Sequence, residues 1–476
     1  MKAPKKYGPR LQRSSGSRLR WYLGITLVLT LCALVATGIL RGRTQSANAT
    51  QPPPILAPTR LTIHASIDST SLSTLKSLLA TVDKLQEAEW SSSQTADLVI
   101  NTDLTGADLT LTATPQPNRQ FTTDGYVLRS DHNIALHAAS EAGRRVIPEL
   151  KATLAQQFII SDPKSDWTYL ALGDIIPARD AYTVAKRSGY SFPFAKVTNR
   201  TASADLTVAN LETTVANGQS YGEGPGMMRF TAPAITLDAI KSAGIDGVSL
   251  ANNHAMNGGG EKTAEMLREL DTRQIGHFGV DRSTGTGTWT TTVKGITIAH
   301  LSFDTVPGNI EPTAALPGAN RISLKPWGKL DQTGIDRVQG AVRTAKESAD
   351  VVIPWFHWGT EYTHDANDEQ RRLAQAAIDA GADVVIATHP HWTQGIEWYK
   401  NHLIAYSLGN FIFDQNWSEE TKHSVALALT FSGKQVMAAK LEPIVIENLV
   451  QPRILAPSEP LYHTILQDIA SHSWLP

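Results

Sequence analysis

The chain has 476 residues, 41% of them hydrophobic and 18% charged, with a formal net charge of −2. That length allows more than one domain, and the near-zero charge gives no reason to expect a nucleic-acid partner. The single cysteine, Cys32, excludes intramolecular disulfides and any Cys-rich zinc site.

The N-terminal stretch differs in kind from the rest. Lys2, Lys5, Lys6, Arg10, Arg13, Arg18 and Arg20 precede an uncharged run over 21–40, which Arg41 and Arg43 close. About 20 apolar residues span a bilayer as a helix, and basic residues upstream hold the N-terminus in the cytoplasm. The pattern predicts a basic cytoplasmic segment (1–20), a single-pass anchor in the cell membrane (21–40) and an extracytoplasmic body. A cleaved signal peptide is the competing reading, with Ala47-Asn48-Ala49 as its cleavage site. The length of the apolar run and the two arginines after it favour the anchor. Pro52, Pro53, Pro54 and Pro58 make 41–59 a semi-extended linker.

Residues 60–165 read as a small α/β domain. Alternation over 61–67 predicts a strand, and Leu72, Leu75, Leu78, Leu79 and Val82 fall at helical spacing. A strand follows at 97–101, and 135–158 reads as a helix interrupted near Pro148. No cluster of catalytic residue types occurs there, so binding or spacing is the plain expectation.

A larger α/β domain spans 167–450. Strands are expected at 169–172, 206–209, 247–250, 350–356, 384–386 and 403–408, with a hairpin over 293–302 turning at Lys294-Gly295. Helices are expected at 234–243, 261–273 and 335–347, and another carries Leu373, Ala376, Ala377 and Ala380. Asn367 or Asp368 can cap that last helix and Gly381 stops it. Repeated strand–helix alternation argues for a layered α/β architecture. Strand character from about Gly433 completes or covers the sheet, leaving 451–476 as a C-terminal tail.

Five of these strands end in residues that carry chemistry. Asp174, Glu212, Asn253-His254, His357 and His389-x-His391 each lie just past an apolar strand, where open α/β sheets place ligands. Singly, each has a plain explanation: a helix cap, a solvated loop acid, turn residues, a core histidine. Together, carboxylate, amide oxygen and imidazole at one edge make a mixed O/N site for a divalent cation. His389 precedes Pro390 and is expected to be extended, so that its imidazole and that of His391 face the same way. Trp355, Trp358, Trp392, Trp398 and Trp417 crowd the same region, either as core or as a rim that grips an extended polymer. Arg179 and Arg229 fall in loops after early strands, where guanidinium could meet a substrate carboxylate or phosphate.

Six motifs run in order over 167–415. They are Gly173-Asp174, Asn210-Leu211-Glu212, Ala251-Asn252-Asn253-His254 and His357-Trp358-Gly359-x-Glu361-Tyr362. Then come His389-Pro390-His391-x-x-Gln394-Gly395-Ile396-Glu397 and Tyr406-Ser407-Leu408-Gly409-Asn410-Phe411-x-Phe413-Asp414. This set resembles the CapA family of poly-γ-glutamate capsule synthesis proteins, itself similar to calcineurin-like metallophosphoesterases. The resemblance implies a layered metallophosphoesterase-like sandwich with one or two divalent cations (manganese, iron or zinc). By position it implies Asp174 and His391 at a first metal, Glu212 in the bridging place, and Asn253, His357 and His389 at a second. His254 becomes the general acid or the electrostatic partner of the leaving group. Glu361, Glu397 and Asn410 join Arg179 and Arg229 as substrate contacts. Ile176 stands where the phosphoesterases have a histidine, Asn257 where relatives often have an acid, and Ala387-Thr388 where they have Gly-His. The implied function is synthesis, export or anchoring of an anionic poly-γ-glutamate-like surface polymer. Two forms remain open: a metal-dependent hydrolase of a phosphoester or γ-glutamyl amide, and a non-catalytic scaffold beside membrane-embedded synthesis partners.

Overall fold

The computed structural model describes stretches of 62–161 and then 166–475, except 219–220, 222–228, 282–286, 308–316 and 325–328. The expected basic segment, membrane anchor and linker over 1–59 lie outside the described residues. No helix among the described residues is long and apolar enough to cross a membrane. Residues Arg60–Pro476 form one compact unit.

Its first part is a six-stranded sheet in the order Glu89–Trp90, Thr62–Ala65, Leu98–Asn101, Asn133–Ala138, Leu109–Ala113, Phe158–Ser161. The helix expected over 135–158 divides here. Asn133–Ala138 is a strand, with Leu136 and Ala138 both buried at the strand period of two. The helix starts only at Glu141, after Ser140 Oγ accepts from the Gly143 N–H at 3.0 Å, and it runs through Pro148 to Leu154. Between these strands, Tyr126–Arg129 pairs with a strand of the larger region.

The larger region opens with β1 (Asp166–Ile175), α1 (Arg179–Ser188), β2 (Leu206–Leu211), α2 (Ile235–Ser242), β3 (Gly247–Ser249), α3 (Gly260–Thr272) and β4 (Gly276–Phe278). Next come the hairpin β5 (Trp289–Val293) and β6 (Ile296–Asp304), then α4 (Gln332–Lys346), β7 (Val351–His357), α5 (Asp368–Asp379) and β8 (Val384–Thr388). It closes with β9 (Ile396–Tyr399), β10 (His402–Ala405), β11 (Asn410–Ile412), β12 (His423–Ser432), β13 (Gln435–Glu447), β14 (Gln451–Ile454) and α6 (Pro460–Ser471). One sheet runs β4-β3-β2-β1-β12-β13-β14, with β11 alongside the end of β1, and the other runs β5-β6-β7-β8-β10-β9. In the first, β1 to β4 are mutually parallel; in the second, β6, β7, β8 and β10 are.

Alternating side chains make the layers. On β1, Trp167, Tyr169 and Ala171 face one apolar cluster, and Leu170 and Leu172 face another. The first cluster also takes Val351, Ile353 and Trp355 from β7 and Val384 and Ile386 from β8, so it is the core between the sheets. Leu170 and Leu172 pack with Leu237 and Ile240 of α2 and Met266 and Leu270 of α3. On the far face of the second sheet, Val352 and Phe356 pack with Val338 and Val342 of α4 and Leu373 and Ala377 of α5. The result is a layered α/β fold, helices outside and two sheets within.

Local chemistry fixes the ends. Asn367 caps α5 through a reciprocal box with Gln370, and Gly381 (φ 111°) stops it. Lys294 (φ 47°) and Gly295 (φ 83°) form the two-residue hairpin turn between β5 and β6.

Candidate metal centre

The parallel strands end together, and a backbone irregularity turns the first acid inward. Leu172 pairs with Ala209 but Asp174 pairs with Asn210, so Gly173 is an extra residue and Asp174 leaves the face that Leu172 occupies. A Cβ on Gly173 would sit 2.0 Å from the Gly409 carbonyl oxygen, so glycine is required for this approach. That same oxygen accepts from the Asp174 N–H at 3.1 Å, tying β1 to the Gly409-Asn410 turn.

Six side chains converge from the strand ends. Asp174, Glu212 and His391 form one set of ligand atoms within 4.8 Å of one another; Glu212, His357 and His389 form a second. All five residues are buried, and Glu212 belongs to both sets. Asn253 joins through its Oδ1, 2.9 Å from His357 Nε2, while Glu212 Oε1 lies 3.3 Å from the same nitrogen.

The local backbone is not the one expected from sequence. His389 (φ 98°) and His391 (φ 59°) lie at positive φ, so His389 is not extended despite Pro390. Tertiary contacts override the pre-proline preference: the His389 N–H donates to Asp174 Oδ2 at 3.4 Å, and Pro390 O accepts from the Tyr362 N–H at 2.9 Å. The imidazoles still face a common region, with ring centres 5.9 Å apart. Arg179 (φ 53°) and Tyr362 (φ 60°) share the left-handed conformation. Such residues cost on the order of 1–3 kcal/mol each and concentrate at functional sites.

A second group of residues aims the ligands. Asn210 Nδ2 donates to Asp174 Oδ1 at 2.7 Å, and Asn210 Oδ1 accepts from Asn252 Nδ2 at 3.1 Å. Asn410 Nδ2 is occupied by Gln415 Oε1 (3.2 Å) and Thr421 O (3.0 Å), so its Oδ1 can only accept from His391 Nδ1, 2.9 Å away. Neutral His391 therefore carries its proton on Nδ1, which leaves Nε2 with a lone pair. Thr388 Oγ1 lies 3.0 Å from His357 Nδ1. Asp304, buried at the end of β6 opposite His357, adds negative charge near His357 and Glu212. Sequence reasoning missed Asn210, Thr388 and Asp304. Asn210 stood inside a quoted motif, whereas the strand bearing Asp304 was read as ending at Ser302.

Electrostatics separate the groups. Burial, then the charge of Asp174, pushes the Glu212 carboxyl well above the usual carboxylate range. Burial would also raise Asp174, but the His391 hydrogen bond, the charges of His357 and His391 and the Asn210 amide hold it below that range. Burial lowers His357, and burial with neighbouring imidazoles lowers His389 further. His391 goes up, because Asp174 and Glu212 outweigh its burial. Both Glu212 oxygens and His389 Nδ1 are buried without a hydrogen-bond partner. Two buried carboxylate oxygens and a buried imidazole nitrogen without hydrogen-bond partners are a poor structural arrangement but a good donor set for a cation. The residues present fit one.

The remaining expected residues separate. His254 stacks on Phe230 (4.0 Å), its Nδ1 lies 2.8 Å from Asn257 Oδ1, and burial pushes its pKa down to about 4. Arg179 is not in a loop: it begins α1, its guanidinium is paired with Asp414, and it lies over the rings of Phe230 and Phe413. Arg229 is spent on the Asn257 carbonyl at 2.7 and 3.1 Å. Glu361 is half-buried and its charge is felt by Glu212, His357 and His391. Glu397 does not join the cluster. It accepts from Arg371 (3.2 and 3.3 Å), Gln375 (2.8 Å) and the Tyr406 hydroxyl (2.6 Å).

Every member of the cluster lies within 168–415, the stretch matched by the family model described as Bacterial capsule synthesis protein PGA_cap. The chain belongs to that family. It is 30% identical over 262 residues to the capsule biosynthesis protein CapA of Bacillus anthracis, covering 54% of this chain and 62% of that one. It is 30% identical over 255 residues to the PGA biosynthesis protein CapA of Bacillus subtilis, covering 52% and 63%. A probable polyglutamine synthesis accessory protein of Mycobacterium tuberculosis is 25% identical over 259 residues, covering 52% and 65%. The match thus spans less than two thirds of each of these PGA_cap relatives.

Proposed function

We propose that the protein is a metal-dependent hydrolase serving synthesis, export or anchoring of a poly-γ-glutamate-like surface polymer, with a phosphoester or γ-glutamyl amide as substrate. The observation that carries this reading is Glu212: fully buried, without a hydrogen-bond partner, and common to two three-residue ligand sets. By the resemblance drawn from its motif, Glu212 would take the bridging place of metallophosphoesterases, and the names of the Bacillus relatives suggest the polymer. Three protein donors per cation leave positions open for water and substrate, as catalytic sites require. The mixed O/N donors suit manganese, iron or zinc. Bound there, divalent cations would supply Lewis-acid polarisation of the scissile group and activation of water.

The chain's own residues do the rest. Asp174, Glu212 and His391 would hold one cation, and Glu212, His357 and His389, with Asn253, the other. Asn257 Oδ1 already accepts from the Phe230 N–H at 2.6 Å, so the His254 Nδ1 is the donor in its contact with it. His254 Nε2 is left as the atom that exchanges a proton with substrate or water. Asn410 and Asn210 keep His391 and Asp174 in place, and the charge of Glu361 acts on Glu212, His357 and His391. The basic and apolar run over 1–40 would anchor this body at the outer face of the cell membrane, beside membrane-embedded synthesis partners.

A scaffold without catalysis is the second reading, and Ile176 favours it. That side chain is fully buried and clusters with Phe230 and Phe413, where a metallophosphoesterase has a histidine. The test is metal analysis of the purified protein together with hydrolysis of a phosphodiester and a γ-glutamyl anilide. Metal-dependent turnover that Glu212→Gln abolishes supports the hydrolase; metal binding with no turnover of either bond leaves the scaffold.

A further inference from the structure

The tail after α6 is fastened along the edge strand β9. Trp474 forms a parallel bridge with Glu397, its N–H donating to Ile396 O at 2.9 Å and its carbonyl accepting from the Trp398 N–H at 3.2 Å. Ser473 Oγ accepts from the Ile396 N–H at 2.8 Å. Beside these contacts, four titratable side chains pair crosswise. His364, in the loop after β7, meets Asp468 of α6 at 3.0 Å (Nδ1 to Oδ2). Asp365, the next residue of that loop, meets His472 at 2.6 Å (Oδ1 to Nδ1). The two imidazoles stack with ring centres 5.3 Å apart, and His472 Nε2 lies 3.9 Å from the other oxygen of Asp468. Among the described residues, only the two sets at the strand ends bring three ligand atoms within 4.8 Å of one another. The cluster is therefore a set of ion pairs and not a third cation site.

Such pairs respond to pH through the imidazoles. His364 Nδ1 faces two acceptors, Asp468 and the Thr393 carbonyl at 2.9 Å, so it carries a proton in either state and His364 loses its charge from Nε2. The hydrogen bond survives that loss, but a charge-assisted bond is roughly twice as strong as a neutral one. Burial would lower His364, yet the Asp468 hydrogen bond, the Thr393 carbonyl and the charges of Asp468 and Glu420 raise it above the ordinary 6.5. Burial would raise Asp468, yet the His364 hydrogen bond and the charges of His364, His472 and His423 hold it below the ordinary 3.8. Glu420 and His423 face the cluster from the start of β12, where Glu419 is shared between Lys422 and His423. A raised histidine stabilises the fold fully below pH 6.5 and gives that up as pH rises through its folded value. A lowered aspartate stabilises it above pH 3.8 and gives that up in stronger acid, so the joint contribution is complete between these limits.

We propose that His364, Asp365, Asp468 and His472 form a proton-operated clasp, closed in mild acid, that locks the end of α6 and its tail onto the loop after β7. The loop it grips is bonded to the segment that carries His391, through Thr393 O and through the Tyr362 N–H on Pro390 O at 2.9 Å. Opening the clasp at higher pH therefore loosens that segment as well as the tail. None of the four residues belongs to the ligand sets, so the clasp stands whether or not the cluster cleaves anything.

The test is hydrogen exchange by mass spectrometry on the full protein in chelator, at about pH 5 and about pH 8, corrected for the intrinsic pH dependence of exchange. In wild type, 393–398 and 469–475 should be about two- to fivefold better protected at the lower pH, as exposed ion pairs allow. Helix α3, remote from the clasp, should show no such difference. His364→Phe keeps a ring on Trp392 without a charge and should remove the difference, as should Asp468→Asn. By NMR, the wild-type His364 imidazole should titrate above pH 6.5, and its midpoint should fall in Asp468→Asn. Equal protection at both pH values, the same difference in α3, or a difference that survives in His364→Phe would each overturn the proposal. So would a His364 midpoint at or below 6.5.

Discussion

Replacing Glu212 by methionine should stabilise the metal-free protein while removing its response to metal. The side chain is fully buried and neither oxygen has a hydrogen-bond partner. An unsatisfied buried polar group costs about 1–3 kcal/mol, and methionine fills nearly the same volume without one. In chelator, then, Glu212→Met should exceed wild type by about 1–3 kcal/mol of unfolding free energy. Manganese at a hundred times its dissociation constant should stabilise wild type by about 2.7 kcal/mol for each cation bound, through mass action. The variant should gain nothing, because Glu212 is shared by both ligand sets. The gap therefore closes or reverses on adding metal. Urea unfolding followed by tryptophan fluorescence, with EDTA and then with manganese, reads both quantities. A variant less stable than wild type in EDTA, or one that manganese stabilises as much as wild type, would refute the reasoning.

Other consequences are as specific. His300 is buried among Tyr169, Phe278 and Trp289, and burial pushes its pKa down to about 3. The unfolded chain takes up that proton near pH 6.5 and the folded one does not, so this share of stability is complete above pH 6.5 and fades toward pH 3. From pH 8 to pH 5 wild type should lose about 2 kcal/mol relative to His300→Phe, and a pH-independent difference between them would contradict it. Glu397→Gln should lower stability by about 1–3 kcal/mol through its contacts with Arg371 and Tyr406, with manganese affinity and any turnover intact. Lost turnover at unchanged stability would instead return Glu397 to a substrate role. Gly173→Ala must move a strand, since its Cβ would lie 2.0 Å from Gly409 O. It should cost about 1–3 kcal/mol and weaken manganese binding, and a neutral variant by calorimetry would show that the close approach is not needed.

The strand ends were legible because each pairs an apolar run with abrupt polarity, a signal that survives without knowing which strands are neighbours. What gathers around them was less so. Asn210 and Asn410 sat in recognisable motifs, but a sequence does not say that one amide aims Asp174 and the other fixes the proton of His391. Glu397 sat in the same motif as His389 and His391, yet β9 returns antiparallel to β10 and carries it into a network with Arg371. The backbone of His389 ran against its local preference because contacts from β1 and from the Tyr362 loop decide it. Arg179 looked like a free cation and is held by Asp414, 235 residues further along the chain. Long-range partners, invisible to spacing, account for each of these differences.

The central claim is that one buried acid serves two cation positions at the meeting of parallel strands. An anomalous difference map from crystals soaked in manganese tests it directly. The expected result is two peaks, one among Asp174, Glu212 and His391 and one among Glu212, His357 and His389, with Glu212 in contact with both. No peak at either set under saturating manganese, or bound metal that leaves Glu212 untouched, would contradict it.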